Sequence, residues 1–87
     1  MKKLVWNVLK SEKLKKERGA SFDDVLNKGK LIAIQEHKKR ENQKVMLFEY
    51  KSYIWLVPFV INKKGDIFLK TLYPSRKFTK KYFGDTR

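Results

Sequence analysis

The longest apolar run in the chain, IWLVPFVI from Ile54 to Ile61, has a proline inside it. The run is far too short to cross a bilayer, which takes about 20 apolar residues as a helix. With its flanks, YIWLVPFVIN reads as a strand. Pro58 has no N–H to give to a ladder, so its presence argues for an edge position or a bulge at that point. Strand-like segments lie on both sides of it. KLIAIQE comes first and is followed by the polar loop HKKRENQ. KVMLFEY is next, with a short turn at Lys51-Ser52 leading into the proline-bearing run. NKKGD then reads as a hairpin turn in which Gly65 is available for positive φ, and DIFLKTLY, residues 66–73, is a fourth strand.

The residues before position 30 have a different pattern. KKLVW, ending at Trp6, is a short first strand, and Asn7 is placed to cap a helix over VLKSEKLKKERG. Val8, Leu9 and Leu14 give that helix a thin apolar stripe, and Gly19 is placed to end it. Ser21 caps a second helix, SFDDVLNKG, in which Asp23 and Asp24 favour the positive end of the dipole. Phe22, Val25 and Leu26 form its inward face, and Gly29 ends it. Trp6, Phe48, Trp55, Phe59 and Phe68 are assigned to the core. KFTKKYFG is either a short final helix or a tail. The pattern predicts an α+β fold: a short N-terminal strand, two helices, then a mainly antiparallel four-stranded sheet with helices on one face.

Residues 1–87 are read as a single domain, the natural prior for a chain of 87 residues. Apolar residues are 41% of the chain, enough for one modest core, and a domain of this size buries only about 60% of its unfolded surface. The absence of cysteine excludes disulfides and thiolate metal sites. MKKLVWNVLK is not read as a signal peptide, because Asn7 and Lys10 break its apolar run, and the expected location is the cytoplasm. The formal net charge of +13, from 22 Lys and Arg against 9 acids, fits nucleic acid, an anionic membrane surface or an acidic protein as partner. Membrane association is the weakest of these, since no helix combines a broad apolar face with a basic one.

Two stretches carry a resemblance. The first is Trp6-Asn7 with Lys10 and Leu14, followed by Arg18-Gly19-Ala20-Ser21-Phe22-Asp23-Asp24-Val25. The second is Pro74-Ser75-Arg76-Lys77-Phe78-Thr79, where a last strand runs into two small residues, two cations and a threonine. Together they resemble BrnT-type toxins, in order and in length, and the middle strands match by pattern. The chain departs from that pattern in having Pro74-Ser75 where Ser-Ala commonly precedes the cations. The resemblance implies a RelE-like α+β fold and a metal-independent endoribonuclease toxin of a type II toxin–antitoxin pair. It also implies an RNA substrate and a cognate antitoxin, often with a ribbon-helix-helix DNA-binding part.

Metal-independent RNA cleavage uses the ribose 2′-OH as nucleophile. It needs a base near that hydroxyl, an acid near the leaving 5′ oxygen and cations on the phosphate. Arg76, at the exit of a strand, is the first candidate for the phosphate clamp, with Lys70 and Lys77 in support. Lys70 would serve as a base if its strand buries it; the alternative is that it points to the wet face of the sheet. His37, the single histidine, opens the loop that also holds Lys38, Lys39 and Arg40. It suits acid–base work near neutrality, although an exposed loop histidine is the commoner case. Arg40, Lys80 and Lys81 are candidate phosphate contacts, and Tyr73 a candidate platform for a base. The acids are scattered, so neither a metal site nor a cofactor is expected. Composition equally supports a basic nucleic-acid-binding domain without chemistry, or a protein whose cations serve only an acidic partner.

Overall fold

The computed structural model describes residues 3–36 and 43–84. The elements in chain order are β1 (Leu4–Val5), α1 (Val8–Arg18), α2 (Phe22–Lys28), β2 (Lys30–Glu36), β3 (Gln43–Tyr50), β4 (Tyr53–Ile61), β5 (Ile67–Leu69), β6 (Tyr73–Pro74) and α3 (Arg76–Phe83). The strands form a six-stranded sheet in the order β1-β5-β4-β3-β2, with β6 continuing the β5 side of β4. All neighbouring pairs are antiparallel except β1 with β5, which is parallel. The α+β class and the helix-then-strand order are those read from the sequence.

Local chemistry explains the helical hairpin. The Asn7 side chain accepts the Lys10 N–H at 3.1 Å and starts α1, and Gly19 ends it at φ 87°. Ser21 and Asp24 make a reciprocal capping box on α2, each side chain accepting the other's N–H. The Lys15 ammonium reaches the same carboxylate at 2.6 Å. Ser11 is buried, and its hydroxyl accepts the Phe22 N–H at 3.0 Å, satisfying one of the orphan donors that begin α2. The inward stripe of α1 therefore differs from the expected one. Leu14 is buried, but Val8 and Leu9 are 64% and 76% exposed, and Ser11 takes the inward position. Ser11 and Leu14 are three apart and share the inward face of the helix.

Gly29 joins α2 to β2 where the backbones almost touch. A Cβ there would sit 2.5 Å from the Val25 carbonyl oxygen and 3.0 Å from that of Glu49, so no larger residue fits without backbone movement. Across the sheet, the β3–β4 hairpin turns on Lys51 and Ser52, both left-handed at φ 54° and 60°. That matches the two-residue turn whose twist suits the flanking strands.

The sheet is covered on both faces, whereas the sequence pointed to one. Met46, Phe48, Tyr50, Trp55, Val57, Phe59 and Leu69 pack against Leu14, Phe22 and Val25 of the helical hairpin. Trp6 is only half-buried, its ring 5.9 Å from that of Phe22, and Phe68 is half-buried as well. On the other face Leu47, Ile54 and Leu56 pack with Phe78 and Phe83 of α3. Sandwiching accounts for the unbroken burial of Ile54 through Phe59, since both alternating sets of side chains meet a covering layer.

The expected fourth strand is two strands. Between the pairs Phe59↔Leu69 and Leu56↔Tyr73, two residues of β4 face three of its partner, so the partner bulges over residues 70–72. Pro58 lies opposite that bulge. Its carbonyl accepts the Lys70 N–H at 2.9 Å, and the N–H it lacks would point to the same side. Pro58 thus sits in an interior strand, and the irregularity it demands falls on its neighbour. Arg18, at the end of α1, closes over the bulge and donates to the Leu72 carbonyl at 2.6 Å and the Thr71 hydroxyl at 3.4 Å.

After β6 the chain is fastened to β4 twice. The Ser75 N–H donates to the Ile54 carbonyl at 2.8 Å, and the Ile54 N–H donates to the buried Thr79 hydroxyl at 2.9 Å. That hydroxyl donates in turn to the Ser75 carbonyl at 2.6 Å. The ambiguous segment after Ser75 is therefore a helix held against the sheet. Among the described residues no helix is long and apolar enough to cross a membrane.

Thr79→Val keeps the shape and leaves the Ile54 N–H buried and unpaired. It should lower stability by about 1–3 kcal/mol in urea denaturation, with the far-ultraviolet spectrum retained. A second expectation concerns acid. The Asp24 carboxyl is lowered to about 2, chiefly by the hydrogen bond from Lys15 and next by the Ser21 N–H. A carboxyl more acidic in the folded chain than in the unfolded one stabilises the fold while ionised. Its contribution is complete above its ordinary value of 3.8 and is lost as the pH falls towards about 2. The stability gap between wild type and Asp24→Asn should therefore narrow across that window. A gap that stays constant from pH 6 to pH 2 would contradict the pairing.

Candidate anion-binding cleft on α3

Ser75 caps α3, its side chain accepting the Phe78 N–H at 3.2 Å, and Arg76 is the first helical residue. The helix carries Arg76, Lys77, Lys80 and Lys81 and no acid in its first turn. Cations at the N-terminal end oppose the helix dipole, so Arg76 and Lys77 stand where a helix alone would favour an acid. Among the described residues Lys15–Asp24 is the one ion pair, so no described carboxylate neutralises α3. An anion held there would meet both the dipole and the side-chain charges.

The helix arranges its cations in rows. Arg76 and Lys80 are four apart and share a face, as do Lys77 and Lys81 on the next. The first row borders a cleft of about 360 Å³ lined by Tyr53, Arg76, Thr79, Lys80 and Gly84. Thr79 forms part of the wall, with its hydroxyl committed to backbone on both sides. Arg76 and Lys80 are exposed, as a clamp on a large anion requires. The Lys81 ammonium lies 5.7 Å from the centre of the Phe78 ring, which itself stacks on Tyr82 at 6.5 Å.

Of the residues singled out in the sequence, Arg76 and Lys80 meet in this cleft. Lys77 and Lys81 are exposed on the adjoining face of α3, and Tyr73 is exposed on β6 but does not line the cleft. Lys70 is exposed in the bulge and lines no part of the cleft, so the burial on which a role as base depended is absent. Its backbone N–H still pairs with the Pro58 carbonyl, while its side chain is in solvent, the alternative that the sequence left open. His37 and Arg40 lie outside the described residues. Tyr53 and Gly84 were not anticipated. Helical spacing from Arg76 would have found Thr79 and Gly84, whereas Tyr53 joins the site only through the docking of α3 on β4.

A second hollow, about 400 Å³, lies at the helical hairpin and is lined by Trp6, Val8, Ser11, Glu12, Lys15, Lys16, Ser21, Asp23 and Asp24. Its three carboxylates make it a poor seat for phosphate. Among the described residues no three His, Cys, Asp or Glu side chains come together as a metal site would require.

The helical hairpin, the antiparallel sheet and the helix docked after the last strand together make a BrnT-like fold. The crystal structure of the Brucella abortus ribonuclease toxin BrnT matches with a TM-score of 0.58, covering 86% of this chain and 97% of that one. The two sequences are 14% identical, so the likeness is one of fold. No protein-family model matches the chain, and no curated protein does.

Proposed function

We propose that this chain is a metal-independent endoribonuclease toxin of a type II toxin–antitoxin pair, acting in the cytoplasm and cleaving RNA at the α3 cleft. The observation that carries this reading is the meeting of Arg76 and Lys80 on one cleft of a fold shared with a ribonuclease toxin. Arg76 takes two phosphate oxygens through its forked donors, and Lys80 adds a compact charge. Both stabilise the charge that gathers on the phosphorane as the ribose 2′-OH attacks. The products are a 2′,3′-cyclic phosphate and a 5′-hydroxyl. Lys77 and Lys81 extend the cationic surface along the strand, and Tyr73 offers an exposed ring for a base. His37 and Arg40, between β2 and β3, are further candidates for proton transfer and phosphate contact. Lys70 is not retained as the base.

The cationic surface also fits an inhibitor. A cognate antitoxin of acidic or mixed charge, with a ribbon-helix-helix part for DNA, would cover α3 and close the cleft. One observation favours a second reading, a nucleic-acid-binding domain without chemistry: among the described residues the cleft lining has neither histidine nor carboxylate.

Incubation of the purified protein with a structured RNA in EDTA separates the two. Wild type should make discrete cuts ending in 2′,3′-cyclic phosphate, and Arg76→Ala should lose about 10²-fold or more in rate while keeping its melting temperature. An Arg76→Ala protein as active as wild type would remove Arg76 from the site. RNA that shifts on a gel but stays intact, with or without translating ribosomes, would favour the binding domain.

A further inference from the structure

Three adjoining rows of side chains run along α3. A helix turns about 100° per residue, so residues four apart fall into rows and consecutive residues open consecutive rows. Arg76 and Lys80 form the row on the cleft, and Lys77 and Lys81 form the next. Phe78 and Tyr82 form the third, about 200° round the helix from the first. The first two rows offer charge to phosphate. The third is aromatic, and neither of its residues lines the cleft.

The third row has the geometry of a platform. Its ring centres are 6.5 Å apart and the rings lie 25° from parallel, so one is laid on the other. Phe78 is the inner ring. It is half-buried and packs on Leu47, Ile54 and Leu56, so the sheet fixes its position. Tyr82 is the outer ring and is 38% exposed. With one face against Phe78, an exposure of that size leaves ring surface open to solvent. The Lys81 ammonium lies 5.7 Å from the centre of the Phe78 ring, so a cation borders the aromatic pair. No described carboxylate pairs with Lys77 or Lys81. An open ring beside unneutralised cations meets both parts of an unpaired nucleotide, the base through stacking and the phosphate through charge. A duplex has no free base to offer, because its bases are stacked and paired inside it.

We propose that Tyr82, backed by Phe78, is a stacking platform for an unpaired base, and that the α3 site therefore takes single-stranded RNA. The inference rests on the reading of α3 as an RNA site and deepens it by naming the form of the substrate. The strand meets Arg76 and Lys80 in the cleft, crosses the outer surface of α3 over Lys77 and Lys81, and sets a base on Tyr82. The order of the rows round the helix gives the order of these contacts along the strand.

The test measures binding with a 2′-O-methyl oligonucleotide, which has no free 2′-OH and cannot be cut by this chemistry. The probes are that single strand, its duplex with the complement, and inorganic polyphosphate of similar charge. Tyr82→Ala and Tyr82→Leu should each bind the single strand about 10-fold or more weakly than wild type. Both should bind duplex and polyphosphate as wild type does. Tyr82→Phe keeps the ring and should keep the affinity for all three. Melting temperatures should stay with wild type, since Tyr82 is an exposed residue of the last turn. Unchanged single-strand binding by Tyr82→Ala overturns the proposal. So does a loss that is equal on polyphosphate, which makes Tyr82 a support for α3 and no more. Full affinity in Tyr82→Leu also overturns it, because bulk alone would then suffice. Cleavage of ordinary RNA in EDTA is read beside binding. A chain that cuts RNA with or without the Tyr82 ring keeps the ribonuclease reading and loses the platform. A chain that binds as expected and cuts nothing keeps the platform and loses the ribonuclease reading.

Discussion

The Thr79 hydroxyl accepts the Ile54 N–H and donates to the Ser75 carbonyl, and through these bonds α3 is fastened to the middle of the sheet. Ile54 is wholly buried, so its N–H has no water to turn to. The neighbouring bond from the Ser75 N–H to the Ile54 carbonyl uses the other polar group of the same residue. One residue of β4 thereby satisfies its backbone entirely through the segment that caps α3. Phe78 and Phe83 add apolar contact on the same face. The position of Arg76 and Lys80 follows from this joint, because a helix pinned at its first turn directs every later side chain by its own periodicity.

β4 is the strand around which the rest is organised. It pairs with β3 on one side and with β5 and β6 on the other, and both of its faces are covered. A proline there would normally cost a ladder bond. The extra residue in the partner places the bulge opposite Pro58, so the missing donor faces a gap that has no need of it. Arg18 reaches the bulge from the far end of α1 and supplies a charged donor to the Leu72 carbonyl. Helical hairpin, bulge and cleft are in this way linked in sequence, from Arg18 through β6 to Ser75 and Arg76.

What could be read from the sequence was what depends on near neighbours. Asn7, Ser21 and Gly19 mark the helix ends by chemistry acting within four residues, and the strand segments follow from apolar runs between turn residues. Pro58 signalled an irregularity but could not say which strand would carry it. Lys70 is exposed, the alternative that strand alternation had left open. Val8 and Leu9 were assigned to the apolar stripe on hydropathy alone, and both are exposed. The cleft was half legible: Arg76 and Lys80 announce themselves as cations after a strand, while Tyr53 carries no local mark. Its membership depends on α3 crossing β4, a contact between segments far apart in the chain. The resemblance to BrnT-type toxins anticipated the fold, and the structural match bears that out.

The parallel pairing of β1 with β5 has a consequence for how the molecule is made. It joins Leu4 to Ile67, residues that leave the ribosome far apart in time. Contacts of such long range must wait for the intervening chain, and they slow folding relative to local ones. The helical hairpin can form early, because its caps are local, but its lower edge stays unanchored until β5 arrives to receive β1. The cationic helix follows β5 in the chain, so α3 can settle on β4 only after β5 has been made. Synthesis thus assembles scaffold before cleft, and a nascent chain carries its α1 and α2 face for some time without the cationic helix.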